Sequence, residues 1–375
     1  MPKISKVLIV GAGIAGMALA IGLKRSGIRS ELVEIDPHWS ALGVGMALQG
    51  PALRALGQIG VLDRCMEAGF GYSYFKFCDA DGNVTSTVDL PRLNGPKYPA
   101  TVGIMRQRVH DVLKQELDDA EVTVRLGVTV SSLEQHLNGA NVTFDDGSSG
   151  SYDLLVGADG SNSKIRDLVF GSECRPAFTG QAVWRATVSR PPEVQSRCSF
   201  FGPRNKAGCN PVSSDQMYIF LVQNLAEPVR LADKQLIDVM RSQLADFGGF
   251  LASARDEVTD PKQVVYRPVQ SHILPAPWYR GPVVLIGDAA HTATPQLASG
   301  AGIAIEDAIV LAQELRSETS LPNALEAFMT RRYERARLIV ENSFQLGEWE
   351  KNPHAPNADP AGLTAKTVGV MAQPI

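Results

Sequence analysis

Apolar positions fall into short unbroken runs toward both ends of the chain and into an alternating pattern between them. Val7–Val10 inside "KVLIVGAGIAG" is such a run, the form a strand takes when both of its faces are buried. "YDLLVG" at 152–157 and Val283–Ile286 have the same character. The first run ends in a glycine-rich turn and passes into a helical period over roughly Ile14–Ser26, which Gly27 is placed to end. The last ends in Gly-Asp, and small residues at 298–302 lead into a helix predicted to run to about Arg316. Within 179–267 the period is two, in "AVWRATV", "RCSFF" and "QMYIFLV", which predicts a mostly antiparallel sheet. "DKQLIDVMRSQLADF" adds a covering helix. The stretch 122–157 reads as strands joined by tight turns at Asn138-Gly139 and Asp146-Gly147.

These patterns predict an α/β chain. A discontinuous Rossmann-like domain is expected from 1–178 and 268–347, and a substrate domain from 179–267; residues 70–100 could add strands to the latter's sheet. "LPNALEAFMTRRYERARLIVENSFQLGEWE" (321–350) predicts a long amphipathic helix whose Arg331, Arg332, Arg335 and Arg337 form a solvated face. The Pro/Ala-rich tail 348–375 is expected to be disordered unless its "VGVM" docks.

Gly11, Gly13 and Gly16 spell G-x-G-x-x-G between the first strand and helix. The first glycine permits a tight turn, the second lets a pyrophosphate approach the backbone, and the third lets the helix pack closely. The helix aims its free N–H groups and positive dipole end at that pyrophosphate. Glu34 ends the next strand, "SELVEID", where a carboxylate accepts hydrogen bonds from a ribose; Glu31 and Asp36 are less well placed. Together these features indicate dinucleotide binding but do not separate NAD from FAD.

Composition removes other classes. The 375 residues are 44% hydrophobic and 20% charged, enough for sizeable cores and roughly two domains. A net charge of -4 without a basic block argues against nucleic acid. No run approaches the ~20 apolar residues of a membrane span. Lys6 leads straight into a strand, unlike a secretory signal. The cysteines at 65, 78, 174, 198 and 209, odd in number and without a C-x-x-C pair, read as reduced thiols of a cytoplasmic protein. The histidines lack ligand spacing, so no metal is expected, and no G-x-S-x-G elbow or P-loop occurs. His291 in "DAAHT" reads as a hydrogen-bonded structural group.

The glycine loop, "VGIMRQRVHDVL" (102–113), "YDLLVGADGSNSKIRD" (152–167) and the Gly-Asp segment 282–315 follow one another in this order. The combination resembles the FAD-dependent aromatic hydroxylases, single-component flavoprotein monooxygenases that include para-hydroxybenzoate, salicylate and urate hydroxylases. The resemblance implies that both glycine turns serve one extended FAD. Gly11, Gly13, Ala15 and Gly16 would surround its pyrophosphate, Glu34 and Ile35 the adenosine ribose, and the backbone of Val128 the adenine. Arg106 would meet the diphosphate–ribityl region, Asp159 both FAD and the nicotinamide donor, and Asp288 the ribityl chain. Pro295, Ala298, Ser299, Gly300, Ala301 and Gly302 would offer backbone to the flavin, although much of the family has Gly-Gln-Gly-x-Asn after the proline. Glu306 and Asp307 would then stand early in the last FAD helix and complement its dipole.

The implied reaction has NADH or NADPH reduce FAD, after which O2 adds at flavin C4a and the hydroperoxide hydroxylates a small aromatic or N-heteroaromatic acid. Specific catalytic residues stay unassigned. Trp184, Arg185, Tyr218, Phe220 and Pro295 are candidate pocket residues. A single G-x-G-x-x-G disfavours a two-dinucleotide reductase, and "VWRATV" departs from the halogenase W-x-W-x-I-P. An FAD-dependent dehydrogenase or oxidase that never inserts oxygen is the alternative. The partners expected are the aromatic substrate and molecular oxygen, for a monomer or homodimer.

Overall fold

The computed structural model of the chain describes residues 4–41, 43–317 and 320–375. Lys6–Val10 lies inside a six-stranded sheet, flanked in parallel by Leu154–Gly157 and Arg29–Glu34. Val283–Leu285 and Thr123–Leu126 extend it in parallel, and Tyr279–Arg280 closes one edge antiparallel. Val7, Leu8 and Ile9 are wholly buried, as an unbroken apolar run requires. The helices Ile14–Arg25 and Gly300–Ser317 share this core and touch closely: a Cβ on Gly22 would lie 3.0 Å from the Ala312 Cβ.

The second large sheet has eight strands. Their order is His291–Thr292, Val264–Ile273, Ala177–Ser189, Gln216–Asn224, Lys206–Pro211, Arg197–Phe201, Tyr74–Cys78 and Val84–Asp89. All neighbours pair antiparallel except Arg197–Phe201 with Tyr74–Cys78. Two strands thus come from 70–100, and Val264–Ile273 runs through the division drawn at 267/268. "KAGCNP" has no alternating pattern, yet it is a strand because both of its neighbours offer it hydrogen bonds.

Strand alternation gives this sheet two different faces. Trp184, Ala186, Phe200, Cys209, Ile219 and Leu221 pack beneath the helices Asp233–Leu244 and Phe250–Asp256. Val183, Tyr218, Phe220 and Val222 point the other way, against Val44. This face meets a three-stranded sheet of Gly45–Gln49, Thr101–Met105 and Phe70–Tyr72. The approach leaves no room for side chains. A Cβ on Gly103 would lie 1.9 Å from the Pro211 carbonyl oxygen, and one on Gly45 would lie 2.5 Å from the Tyr218 ring.

The long helix Leu321–Lys351 overturns part of the arginine reading. Arg337 does sit on a solvated face, paired with Glu334 and Glu341. Arg332 is wholly buried and donates to Asp307 Oδ1 at 2.8 Å, Glu306 Oε2 at 2.7 Å and the Ile303 carbonyl at 3.1 Å. Arg335 forks onto both oxygens of Glu306. Glu306 and Asp307 are correspondingly buried and do not act as exposed dipole partners. The cause is packing: the long helix lies along Gly300–Ser317, and a buried carboxylate persists only when paired.

The tail is also ordered. Asp359 caps a helix over Pro360–Ala372, accepting from the Gly362 N–H at 2.8 Å. Arg54 and Arg335 donate to the carbonyls of residues 370–373, and Thr367 and Met371 are buried. No helix among the described residues is long and apolar enough to cross a membrane.

Arg332→Leu is expected to destabilise the protein by about 3–5 kcal/mol, because it leaves buried carboxylates without their partner. Arg337→Leu should leave the denaturation midpoint unchanged. Urea unfolding of the FAD-loaded proteins checks both; a shared midpoint would mean that the interior ion pairs are dispensable.

Candidate FAD and substrate site

The first turn is built by close packing. Gly11 has φ +102°, and a Cβ there would lie 2.5 Å from the Ala158 carbonyl oxygen. A Cβ on Gly16 would lie 2.0 Å from the Gly11 carbonyl oxygen. Only glycine satisfies either position. Gly13, at the N-cap of Ile14–Arg25, is different: a Cβ there meets nothing within 4 Å. That open place borders a helix start whose first N–H groups lack intrahelical partners. Ala15 stands in the first turn of that helix. The Glu34 carboxylate accepts from the Ala12 N–H at 2.8 Å and the Asp36 N–H at 2.9 Å, which draws the strand end against the loop. The Val128 N–H donates to the Glu34 carbonyl, and Ile35 is 65% exposed, an apolar surface next to this corner. Trp39, which the sequence reading passed over, donates from Nε1 to the Ala12 carbonyl at 3.0 Å.

The second turn meets the first. Gly287 has φ +60°, and its Cβ would lie 3.1 Å from the Ala15 Cβ and 3.3 Å from that of Ala304. Asp307 Oδ2 accepts both the Gly287 N–H at 2.9 Å and His291 Nε2–H at 2.6 Å. His291 is therefore a buried, hydrogen-bonded group that braces the turn. Burial pushes the Asp307 carboxyl up, but His291, Arg332 and the Gly287 N–H outweigh it and hold the pKa below its usual range. Asp288 makes no side-chain hydrogen bond among the described residues. The surrounding protein pushes its pKa up, while His291 and Arg106 oppose the shift.

Asp159 has a local task. Its oxygens accept from Ser163 Oγ at 2.5 Å and the Ile165 N–H at 3.0 Å, so it closes the turn before Lys164–Phe170. Arg166, absent from the sequence reading, ties this turn to the second glycine turn. It donates to the Ser161 carbonyl at 2.8 Å and to that of Ala289 at 3.2 Å. Its only sequence signal is its place three residues after the capping Ser163.

Pro295 opens a short turn to Leu297, and Gln49 Nε2 donates to the Leu297 carbonyl at 2.8 Å. Ala298 is left-handed, with φ 49°, and Ser299 Oγ donates to the Leu297 carbonyl. The helix then starts at Gly300, where a Cβ would meet nothing within 4 Å. Ala301 packs on the core, and Gly302 faces Ala52 closely. Gly13 and Gly300 are thus open glycines at the starts of two helices.

Arg185, Tyr218 and Phe220 share the inward sheet face, since Arg185 pairs with Phe220. Trp184 is corrected: alternation turns it outward into the helix-covered core, with Nε1 bonded to Gln223 at 2.9 Å. Burial holds the Arg185 pKa below its ordinary value; Tyr218 opposes this, and the nearby Arg106, Arg267 and Arg197 reinforce it. Burial also pushes the Tyr218 phenol up, against the pull of Arg185 and Arg197. Arg197 lies over Phe75 at 5.3 Å and Phe220 at 5.5 Å. Its position follows from the two-residue period of "RCSFF", which gives it the same face as Ser199 and Phe201. Arg106 begins Arg106–Asp119, exposed, with its Cδ 3.3 Å from where a Gly43 Cβ would sit.

The FAD binding domain family model matches residues 5–343. The chain belongs to the FAD-dependent aromatic hydroxylases. It is 31% identical over 354 residues to 2-heptyl-3-hydroxy-4(1H)-quinolone synthase of Pseudomonas aeruginosa, covering 92% of this chain and 90% of that one. It is 30% identical over 351 residues to aurachin C monooxygenase/isomerase of Stigmatella aurantiaca, again over 92% and 90%. The crystal structure of Klebsiella pneumoniae HpxO complexed with FAD and uric acid has the same fold. Its TM-score is 0.83 at 24% identity, over 98% of this chain and 92% of that chain. This hydroxylase uses FAD. Its residues fit the cofactor: two open glycines at helix starts for anionic and electron-rich groups, an uncommitted Asp288 for hydroxyls, and Arg106 as a nearby cation.

Ser299→Asp should retain FAD and lower its reduction potential. A charge at a helix N-terminus is worth about 1 kcal/mol, or about 20 mV for a two-electron couple. Spectroscopic redox titration measures this; an unchanged or raised potential at full FAD content would mean that the Gly300 helix start does not face the flavin.

Proposed function

We propose that this FAD-dependent monooxygenase hydroxylates a phenolic or N-heteroaromatic ring that binds as an anion. The reaction balances as RH + NAD(P)H + H⁺ + O2 → ROH + NAD(P)⁺ + H2O: one oxygen atom enters the ring and the other leaves as water. Bound FAD supplies the passage of electrons from the nicotinamide to oxygen. The protein orients the ring, holds its charge and excludes water.

One observation carries this reading. Arg185 and Arg197 flank Tyr218 on the sheet face turned toward the cofactor loops, and neither forms an ion pair among the described residues. Two half-buried cations without a carboxylate favour an anionic ligand. A ring oxygen held as its anion is electron-rich and open to oxygen transfer, and the Tyr218 hydroxyl can hydrogen-bond it. Gln296, Leu297 and Ser299, just before the helix Gly300–Ser317, line the same cavity as Arg197. That helix start favours negative charge on a flavin ring placed there. The relatives named for a quinolone and the FAD-dependent urate hydroxylase of Klebsiella pneumoniae, 25% identical over 346 residues, support an N-heteroaromatic substrate.

Turnover under 18O2 should place one labelled atom in the product for each NAD(P)H consumed. Product without label would identify a dehydrogenase or oxidase instead. Tyr218→Phe should keep its FAD and lose roughly fivefold to tenfold in kcat/KM for hydroxylation, the effect of one hydrogen bond worth about 1–1.5 kcal/mol. Peroxide released per NAD(P)H should rise in step. A collapse of FAD affinity with coupling intact would mean that Tyr218 serves the cofactor.

A further inference from the structure

The inward face of the eight-stranded sheet continues beyond Arg197 into a cavity of about 1080 Å³. Its near end includes Leu297 and Ser299 of the cofactor loop. Its far wall is the C-terminal helix, which presents Ala361, Thr364, Ala365, Val368 and Met371 along one side, at helical spacing. Leu90, Leu93, Leu346 and Trp349 complete an apolar lining. Its lining runs from the cofactor loop to the C-terminal helix, so the space reaches well past one ring beside the flavin.

Two cations of the lining are already matched. Lys206 Nζ meets Glu350 Oε1 at 2.6 Å, and Gln296 Nε2 donates to Glu350 Oε2 at 3.0 Å and to Gln181 Oε1 at 2.9 Å. Arg204 is taken by Asp246. Arg197 is the one cation of this lining without an ion pair among the described residues, and the C-terminal helix contributes no charge to it.

The far wall is fixed in place. Arg54 and Arg335 hold the carbonyls at the end of the helix, and Asn342 Nδ2 donates to Thr367 Oγ1 at 2.7 Å. Ala361 and Ala365 are small residues facing the space, which leaves it open where larger side chains would fill it.

Resting on the monooxygenase reading above, we propose that the substrate is an aromatic or N-heteroaromatic ring carrying a long, unbranched apolar chain. The ring lies at the flavin end, with Arg197 as its cation. The chain runs along the sheet face to the C-terminal helix, whose alanines set the usable length.

Two homologous series test this, 4-alkylphenols and 2-alkyl-4-quinolones, each from the bare ring to a nonyl chain. Binding to the FAD-loaded enzyme is read from perturbation of the flavin absorbance, and turnover from NAD(P)H consumption and product. In at least one series Kd should fall about fourfold for each added methylene, as burial of CH2 groups predicts, and level off once the cavity is full. Ala365→Trp, checked for full FAD content, should raise the Kd of the longest members at least tenfold and shorten the chain at which the fall stops. Flat Kd values, no perturbation in either series, or the same length dependence in Ala365→Trp would each overturn the proposal. Hydroxylation of bare rings without chain dependence would sink it while leaving the monooxygenase reading intact. Steep chain dependence of binding with no oxygen insertion would do the reverse.

Discussion

A single buried carboxylate, Asp307, joins the parts of the molecule that must stay in register. It accepts from the Gly287 backbone, His291 and Arg332, which belong to the second glycine turn, the strand after it and the long helix. A carboxylate without water keeps its charge only among such donors, so the geometry of all three elements is tied to it. The result lies one residue from Asp288, whose own carboxyl is exposed and makes no hydrogen bond among the described residues. The interior spends its hydrogen-bonding capacity on Asp307 and leaves Asp288 for a ligand.

The same economy of contact recurs wherever two bodies meet. Gly287 admits Ala15 and Ala304, Gly11 admits Ala158, and Gly45 admits the Tyr218 ring. None of these approaches tolerates a larger residue, so the cofactor turns and the substrate sheet are held at backbone distance. Arg166 then fastens the second glycine turn to the turn at Asp159–Ser163 through the carbonyls of Ala289 and Ser161. One extended cofactor can be shared by segments far apart in sequence because these contacts make them adjacent in space.

The eight-stranded sheet separates structural from chemical duty by alternation alone. Trp184, Phe200 and Leu221 go to the helix-covered core, while Arg185, Arg197, Tyr218 and Phe220 go to the cleft. Adjacent residues in the same strand, such as Trp184 and Arg185, thereby acquire unrelated roles. The C-terminal helix closes the far end of that cleft, which makes the last residues of the chain part of the space available to a ligand.

The glycine spacing at 11, 13 and 16, the apolar run before it and the Gly-Asp of the second turn were legible because each is a local backbone requirement, written in neighbouring residues. Strand alternation at 183–188 and 217–222 was legible for the same reason. It did not reveal which face would meet the cleft, and so left Trp184 and Arg185 on equal terms. Nor could the chain alone show that Arg332 and Arg335 lie inside while Arg337 lies outside. All three fit one amphipathic helix, and only its packing along Gly300–Ser317 decides which arginine meets a buried acid. "KAGCNP" becomes a strand through hydrogen bonds from both neighbours, and the Pro/Ala-rich tail orders because arginines from two other helices reach its last carbonyls. Short-range conformational constraints were set by the sequence itself; long-range pairing of charges and backbone groups came into being only when the chain closed on itself, because burial is what makes an unpaired charge costly.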